Sequence, residues 1–136
     1  MRSAALALFL ALAAPLSAQD DPSLAPIPPE EWRSMVEGRT VTYLIGEEVW
    51  ARETYDRSGN GVSIRLADGT CMDGVWDFTD GAYCFTWSGG EYSCFLHLRD
   101  GAEILIVPIL DGATGAVQTV GGITDSGPGC GPDLIG

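Results

Sequence analysis

The sequence predicts an all-β fold: an antiparallel up-and-down meander of about eight strands, forming a barrel or a strongly curved sheet, with a short helix ahead of it. Three observations carry this reading. Turn dipeptides recur at a regular beat, at Gly46-Glu47, Asn60-Gly61, Asp68-Gly69, Asp80-Gly81, Gly89-Gly90, Asp100-Gly101 and Asp111-Gly112, spaced 8 to 14 residues apart. That spacing leaves room for one strand between successive turns, and Asn-Gly and Asp-Gly pairs accept the positive φ angles of hairpin turns. The hydrophobic fraction of 46% is too large for a disordered chain, although Gly 18 and Pro 8 are high for 136 residues.

The chain begins with Arg2, an apolar run from Ala4 to Ala14 and Pro15-Leu16-Ser17-Ala18 before Gln19-Asp20-Asp21. A basic start, a short apolar run and a small residue before acids read as a secretory signal peptide over residues 1–18, too short for a membrane span of ~20 residues. Residues 19–29 are polar, acidic and proline-rich, which suits a flexible lead-in. Residues 30–120 form one helix-plus-meander domain. Its helix is signalled by Pro29 at a first helical position, Glu30 and Glu31 in the first turn, and Trp32, Met35 and Val36 along one face. Gly38 ends it, and burial of Trp32 would plug one end of the sheet. The strands are expected at about 40–45, 48–56, 62–67, 70–78, 82–88, 91–99, 102–109 and 115–120. Residues 121–136 read as a Gly/Pro-rich tail held only by Cys130.

Hairpin registers follow from loop lengths. A two-residue turn at Asp80-Gly81 pairs Phe78 with Tyr83 and Trp76 with Phe85, and a three-residue turn at Ser88-Gly89-Gly90 pairs Cys84 with Cys94 and Tyr83 with Phe95. One face then holds Trp76, Phe78, Tyr83, Phe85, Trp87 and Phe95, with His97 at its edge. Outward, this face would be a binding platform; inward, it is the core that a domain this small needs. A barrel packed with so many rings is expected to leave little room for a ligand. Val62, Ile64 and Leu66 fall on the opposite face unless a bulge near Gly74 switches sides.

The four cysteines, Cys71, Cys84, Cys94 and Cys130, are an even number in an exported chain and favour two disulfides. The register favours Cys84 with Cys94, leaving Cys71 to tether the tail through Cys130. No metal site is expected, because Cys94 and His97 point to opposite faces of a flat strand and further ligands are missing. No cofactor fingerprint is present. Asp56-Arg57-Ser58-Gly59-Asn60-Gly61 imitates half of a calcium loop, but Ala67 stands where the bidentate glutamate belongs, so a hairpin turn explains it better.

Catalysis is not expected. His97 is the only histidine and no nucleophile-elbow motif accompanies it. Asp73 and Asp77 share one strand face, which keeps a carboxylate-based hydrolase among the alternatives. Glu47, Glu48 and Glu53 read as solvated strand edges.

The residues Gly74-x-Trp76, Tyr83-Cys84-Phe85-x-Trp87 and Cys94-Phe95 followed by Asp100-Gly101 resemble a group of small exported bacterial proteins of unknown function, built on a β-meander with recurring Cys and Trp. The resemblance covers about 54–107 and implies the fold and the use of disulfides, with no activity to carry over. Likeness to lipocalins is architectural only.

Charge bounds the partners. Seven Lys+Arg, all arginine, oppose 19 Asp+Glu, and loss of residues 1–18 would remove only Arg2, leaving 118 residues with a charge of −13. Such a chain repels a phosphate backbone, so nucleic acid is excluded as a partner. Nothing beyond residue 18 is long and apolar enough to insert in a membrane. The expected function is a periplasmic or secreted interaction module that meets an unidentified protein or small cationic partner through its acidic surface. The alternative is a small apolar-ligand carrier with a lipocalin-like barrel, its site near Trp76, Trp87 and Tyr92.

Overall fold

The computed structural model describes residues 24–110, 113–125 and 130. Its elements are β1 (Leu24–Pro26), α1 (Pro29–Val36), β2 (Thr40–Ile45), β3 (Glu48–Tyr55), β4 (Gly61–Leu66), β5 (Cys71–Thr79), β6 (Ala82–Trp87), β7 (Tyr92–Asp100), β8 (Glu103–Leu110), β9 (Ala113–Thr114) and β10 (Gln118–Thr124). The signal segment, the Asp111-Gly112 turn and residues 131–136 lie outside the described residues.

The meander closes. Strands β2 to β8 pair antiparallel in sequence order, and β10 bonds to β8 on one side and β2 on the other, completing an eight-stranded barrel. Three elements differ from the sequence reading, one of them the short β9, which lies between two expected strands. Leu24–Pro26, within the expected lead-in, adds to β7 opposite Leu98–Asp100. The last barrel strand runs to Thr124, so Gly121 and Gly122, read as tail, belong to the barrel wall.

Side-chain alternation is consistent around the ring. Across each pair the same parity faces inward: Tyr43 opposite Ala51, Glu53 opposite Ile64, Ile64 opposite Met72, Trp76 opposite Phe85, Tyr83 opposite Phe95, and His97 opposite Ile106. Asp80 and Gly81 form the two-residue hairpin turn, with φ of 52° and 80° as a type I′ turn requires. The Ser88-Gly89-Gly90 loop has three residues, closed by Trp87 N–H donating to the Glu91 carbonyl at 2.9 Å. The Asp68-Gly69 turn is also a three-residue loop, because Leu66 N–H donates to the Thr70 carbonyl at 2.8 Å. That extra residue shifts the register by one, so Val62 and Ile64 face the core without any bulge at Gly74. The Asn60-Gly61 turn is longer than expected: Asp56 N–H donates to the Gly61 carbonyl at 3.0 Å, closing a loop over 56–60.

Gly74 faces inward opposite Trp87. A Cβ there would come within 2.7 Å of both the Thr86 carbonyl oxygen and the Trp87 ring. The missing side chain is what lets Trp87 lie flat against the wall.

Helix α1 caps one end. Pro28 precedes it, Pro29 opens it, and Trp32 N–H donates to the Pro28 carbonyl at 3.0 Å. Trp32 and Val36 are fully buried; the Trp32 ring meets Tyr55 edge-on at 6.0 Å and His97 at 4.3 Å. Ile27 closes the same end, its N–H donating to the His97 carbonyl and its carbonyl accepting from the Tyr83 hydroxyl at 2.6 Å. Arg33 ties α1 to the 56–60 loop through the Gly59 carbonyl and Asn60 Oδ1, and its guanidinium lies 4.7 Å over Trp76. Arg99 pairs with Glu31.

Cys71 bonds to Cys130 and Cys84 to Cys94, the pairing that the register favours. These disulfides point to an oxidising, non-cytoplasmic environment. Among the described residues no helix is long and apolar enough to cross a membrane.

Candidate functional site: a half-filled barrel

The helix plug fills only one half of the barrel. The other half encloses a cavity of about 260 Å³ that extends toward the end carrying the 46–47, 67–69 and 88–90 turns, where exposed Glu91 lines it. This corrects the expectation that aromatic packing leaves little room. The rings are unevenly placed. Trp76 and Tyr83 pack in the plug half, Phe78 sits half-exposed at the rim, and Phe85, Trp87 and Phe95 lie along one cavity wall. Phe85 and Trp87 stack with centroids 5.7 Å apart and planes 6° from parallel, and Phe95 meets Phe85 edge-on. The rest of the lining includes narrower side chains, among them Ile64 from β4, Ile106 from β8 and Gln118 from β10.

Three residues read from sequence as a ligand site part company. Trp87 lines the cavity, with its indole N–H donating to Ser93 Oγ at 3.3 Å. Trp76 is buried in the plug half, between Tyr55, Tyr83 and Arg33. Tyr92 pairs with Thr86 on the outer face and is 63% exposed. Trp50, which the sequence did not single out, joins Trp87 in the lining.

The larger correction is Glu53. Read as a solvated edge residue, it is 2% exposed and points into the barrel. The bulge between Tyr43 and Leu44 leaves the inner half of β3 in register, so Glu53 shares its face with Ala51 and Tyr55. The Tyr43 hydroxyl donates to Glu53 Oε1 at 2.7 Å and lies 3.2 Å from the Tyr55 hydroxyl. Burial pushes the Glu53 carboxyl up to about 7, against the pull of these hydrogen bonds. Both tyrosines are held well above their ordinary range by burial first and by Glu53 second. His97, placed by the sequence at the edge of the aromatic face, is central: it is 2% exposed, stacks on Tyr83 at 3.9 Å, lines the cavity, and its Nδ1 has no hydrogen-bond partner. Burial lowers its imidazole to about 3, so it is neutral.

Asp73 and Asp77 do not converge on a cleft. Both are exposed on the outer face of β5, where Asp73 accepts from Ser63 Oγ at 2.7 Å and Asp77 from Thr79 Oγ1 at 2.8 Å. Asp68 serves its turn, accepting from Thr70 N–H at 2.9 Å, which lowers its carboxyl below the ordinary value. All four cysteines are in disulfides.

Glu53 and His97 act oppositely on stability. The His97 imidazole, ordinarily near 6.5 and held at about 3, makes the fold lose stability as pH falls from 6.5 toward 3. The Glu53 carboxyl, ordinarily near 4.5 and raised to about 7, makes it lose stability as pH rises from 4.5 to 7. Urea unfolding of the wild type and of Glu53→Gln across this range is expected to show the wild type falling relative to the variant as pH rises toward 7. Parallel curves would mean that Glu53 titrates like an exposed acid.

A scan against protein-family profiles, a search of curated proteins and a search of solved structures each returned no match, so the cavity and its buried polar groups carry the functional argument.

Proposed function

We propose that this is an exported, non-catalytic binding protein whose barrel carries a small, largely apolar ligand. The observation that supports it is the 260 Å³ cavity lined by aromatic and aliphatic side chains. A dry cavity of ~150 Å³ lined by aliphatic and aromatic side chains holds benzene, so this one suits a ligand of about ten heavy atoms, below the ~300 Å³ where drug-sized pockets begin. Wall-to-wall hydrogen bonding of the strands makes the cavity largely pre-formed, which spares a ligand the cost of ordering it. The segment over residues 1–18 supports export, and the disulfides are in keeping with it.

Propylbenzene tests the reading. Trp50 and Trp87 report directly from the wall, so saturable change in tryptophan emission is expected on titration, and Ile106→Trp, which fills the space, is expected to abolish it while the β-sheet circular dichroism persists. No response in the wild type, or an unchanged response in the variant, overturns the proposal. A second reading, contact between the acidic surface and a basic protein, is supported by the charge of −12 and would show association that weakens steeply with salt.

A further inference from the structure

Resting on the ligand-carrier reading, we propose that the cavity selects a small amine bearing an aromatic or branched aliphatic body, with Glu53 as the counter-ion of its ammonium group. Charge sign is the first support. Among the described residues, Glu53 and Glu91 are the charged side chains that line the cavity, both acidic, and no Arg lines it. A carboxylate taken out of water without a cationic partner is costly, and it is relieved either by a proton or by a cation. Here the protein supplies neutral hydroxyls, from Tyr43 at 2.7 Å and from Tyr55 beside it, and no cation among the described residues lining the cavity, so the charge itself is left uncompensated. An ammonium group entering from the mouth would supply the missing charge.

The walls suit the same ligand. Phe85, Trp87 and Phe95 offer ring faces and edges, and the ring faces attract a cation once water is excluded. An anionic ligand meets the reverse: it would sit beside a buried carboxyl, with Glu91 at its entrance, and no cation to receive it. The acidic chain as a whole draws cations toward the mouth.

The groups facing Glu53 leave it as the one that responds to pH. Tyr43 from β2 and Tyr55 from β3 are pushed above their ordinary values and stay protonated; His97 from β7 is neutral; Gln118 from β10 does not titrate; and α1 presents Trp32 beside Tyr55. Amine binding to the ionised form must therefore strengthen as pH rises through about 7.

Calorimetric titration of the disulfide-bonded protein with 2-phenylethylamine, propylbenzene and 3-phenylpropionate separates the possibilities. The amine is expected to bind about 30-fold more tightly at about pH 8.5 than at about pH 5.5, the ratio of ionised Glu53 between the two. Propylbenzene is expected to show no such gain. Glu53→Gln is expected to lose the amine's pH dependence while still binding propylbenzene, which also shows that the variant's cavity is intact. Propylbenzene binding with a pH-independent amine overturns the amine proposal and leaves the carrier reading standing. Tighter binding of 3-phenylpropionate than of the amine at both pH values overturns it in the same way. Failure of all three ligands overturns the carrier reading as well.

Discussion

Replacing Trp32 with alanine is expected to destabilise the fold by about 3–5 kcal/mol, the range for removing a large aromatic from a packed core. The ring is 0% exposed and touches the chain from several directions: Tyr55 from β3, Tyr83 from β6 and His97 from β7. Those rings belong to strands on different sides of the barrel, so the indole is the common surface on which the closed end packs. Its loss would leave His97 beside an empty volume, and the neutral imidazole would become reachable by water and protons. Denaturant unfolding at neutral pH measures the loss, and Trp32→Phe is expected to recover part of it by keeping an apolar ring in place. A loss below about 1 kcal/mol would show that α1 lies on the barrel rather than in it.

The second large effect concerns the Cys71–Cys130 disulfide, whose partners are 59 residues apart. Chain-entropy arithmetic assigns closure of such a loop roughly 4 kcal/mol, so Cys71→Ser with Cys130→Ser is expected to lower stability by about that amount. Cys84 and Cys94 are separated by 10 residues and sit directly opposite each other in one hairpin. A short loop constrains the unfolded chain less, and Cys84→Ser with Cys94→Ser is expected to cost less, below roughly 3 kcal/mol. Unfolding midpoints of the two double variants give the order. The reverse order would mean that the tether to Cys130 holds little of the fold and that the hairpin bridge carries the stability.

Much of this architecture is legible in the residues. The turn dipeptides place most of the hairpins; a two-residue loop at Asp80-Gly81 and a three-residue loop at Ser88–Gly90 give the Phe78–Tyr83 and Cys84–Cys94 pairs, which favour the two disulfides observed among three possible connectivities. What escapes the sequence is what no local signal encodes. Asp68-Gly69 suits loops of two residues and of three, and the one-residue difference decides whether Ile64 faces water or the core. Closure depends on β10, whose Gly121 and Gly122 look like tail yet belong to a strand lying between β2 and β8. Glu53 was hidden by its charge, although its parity with Ala51 and Tyr55 is a signal that would have placed it inward. The cavity is harder still. It follows from the sizes of inward side chains on strands far apart in sequence, which share one lining only once the barrel has closed.

Methyl NMR of the disulfide-bonded protein titrated with propylbenzene would locate a ligand inside the barrel or outside it. The methyl groups of Ile64, Ile106, Leu66 and Met72 line the cavity, whereas Val75, Ile45 and Val117 are exposed. Saturable shifts confined to the first group are the predicted result, since ring currents from a bound aromatic act over a few ångströms. Shifts at the exposed methyls alone, or none at any ligand concentration, would contradict a ligand-carrying barrel and direct attention to the acidic outer surface.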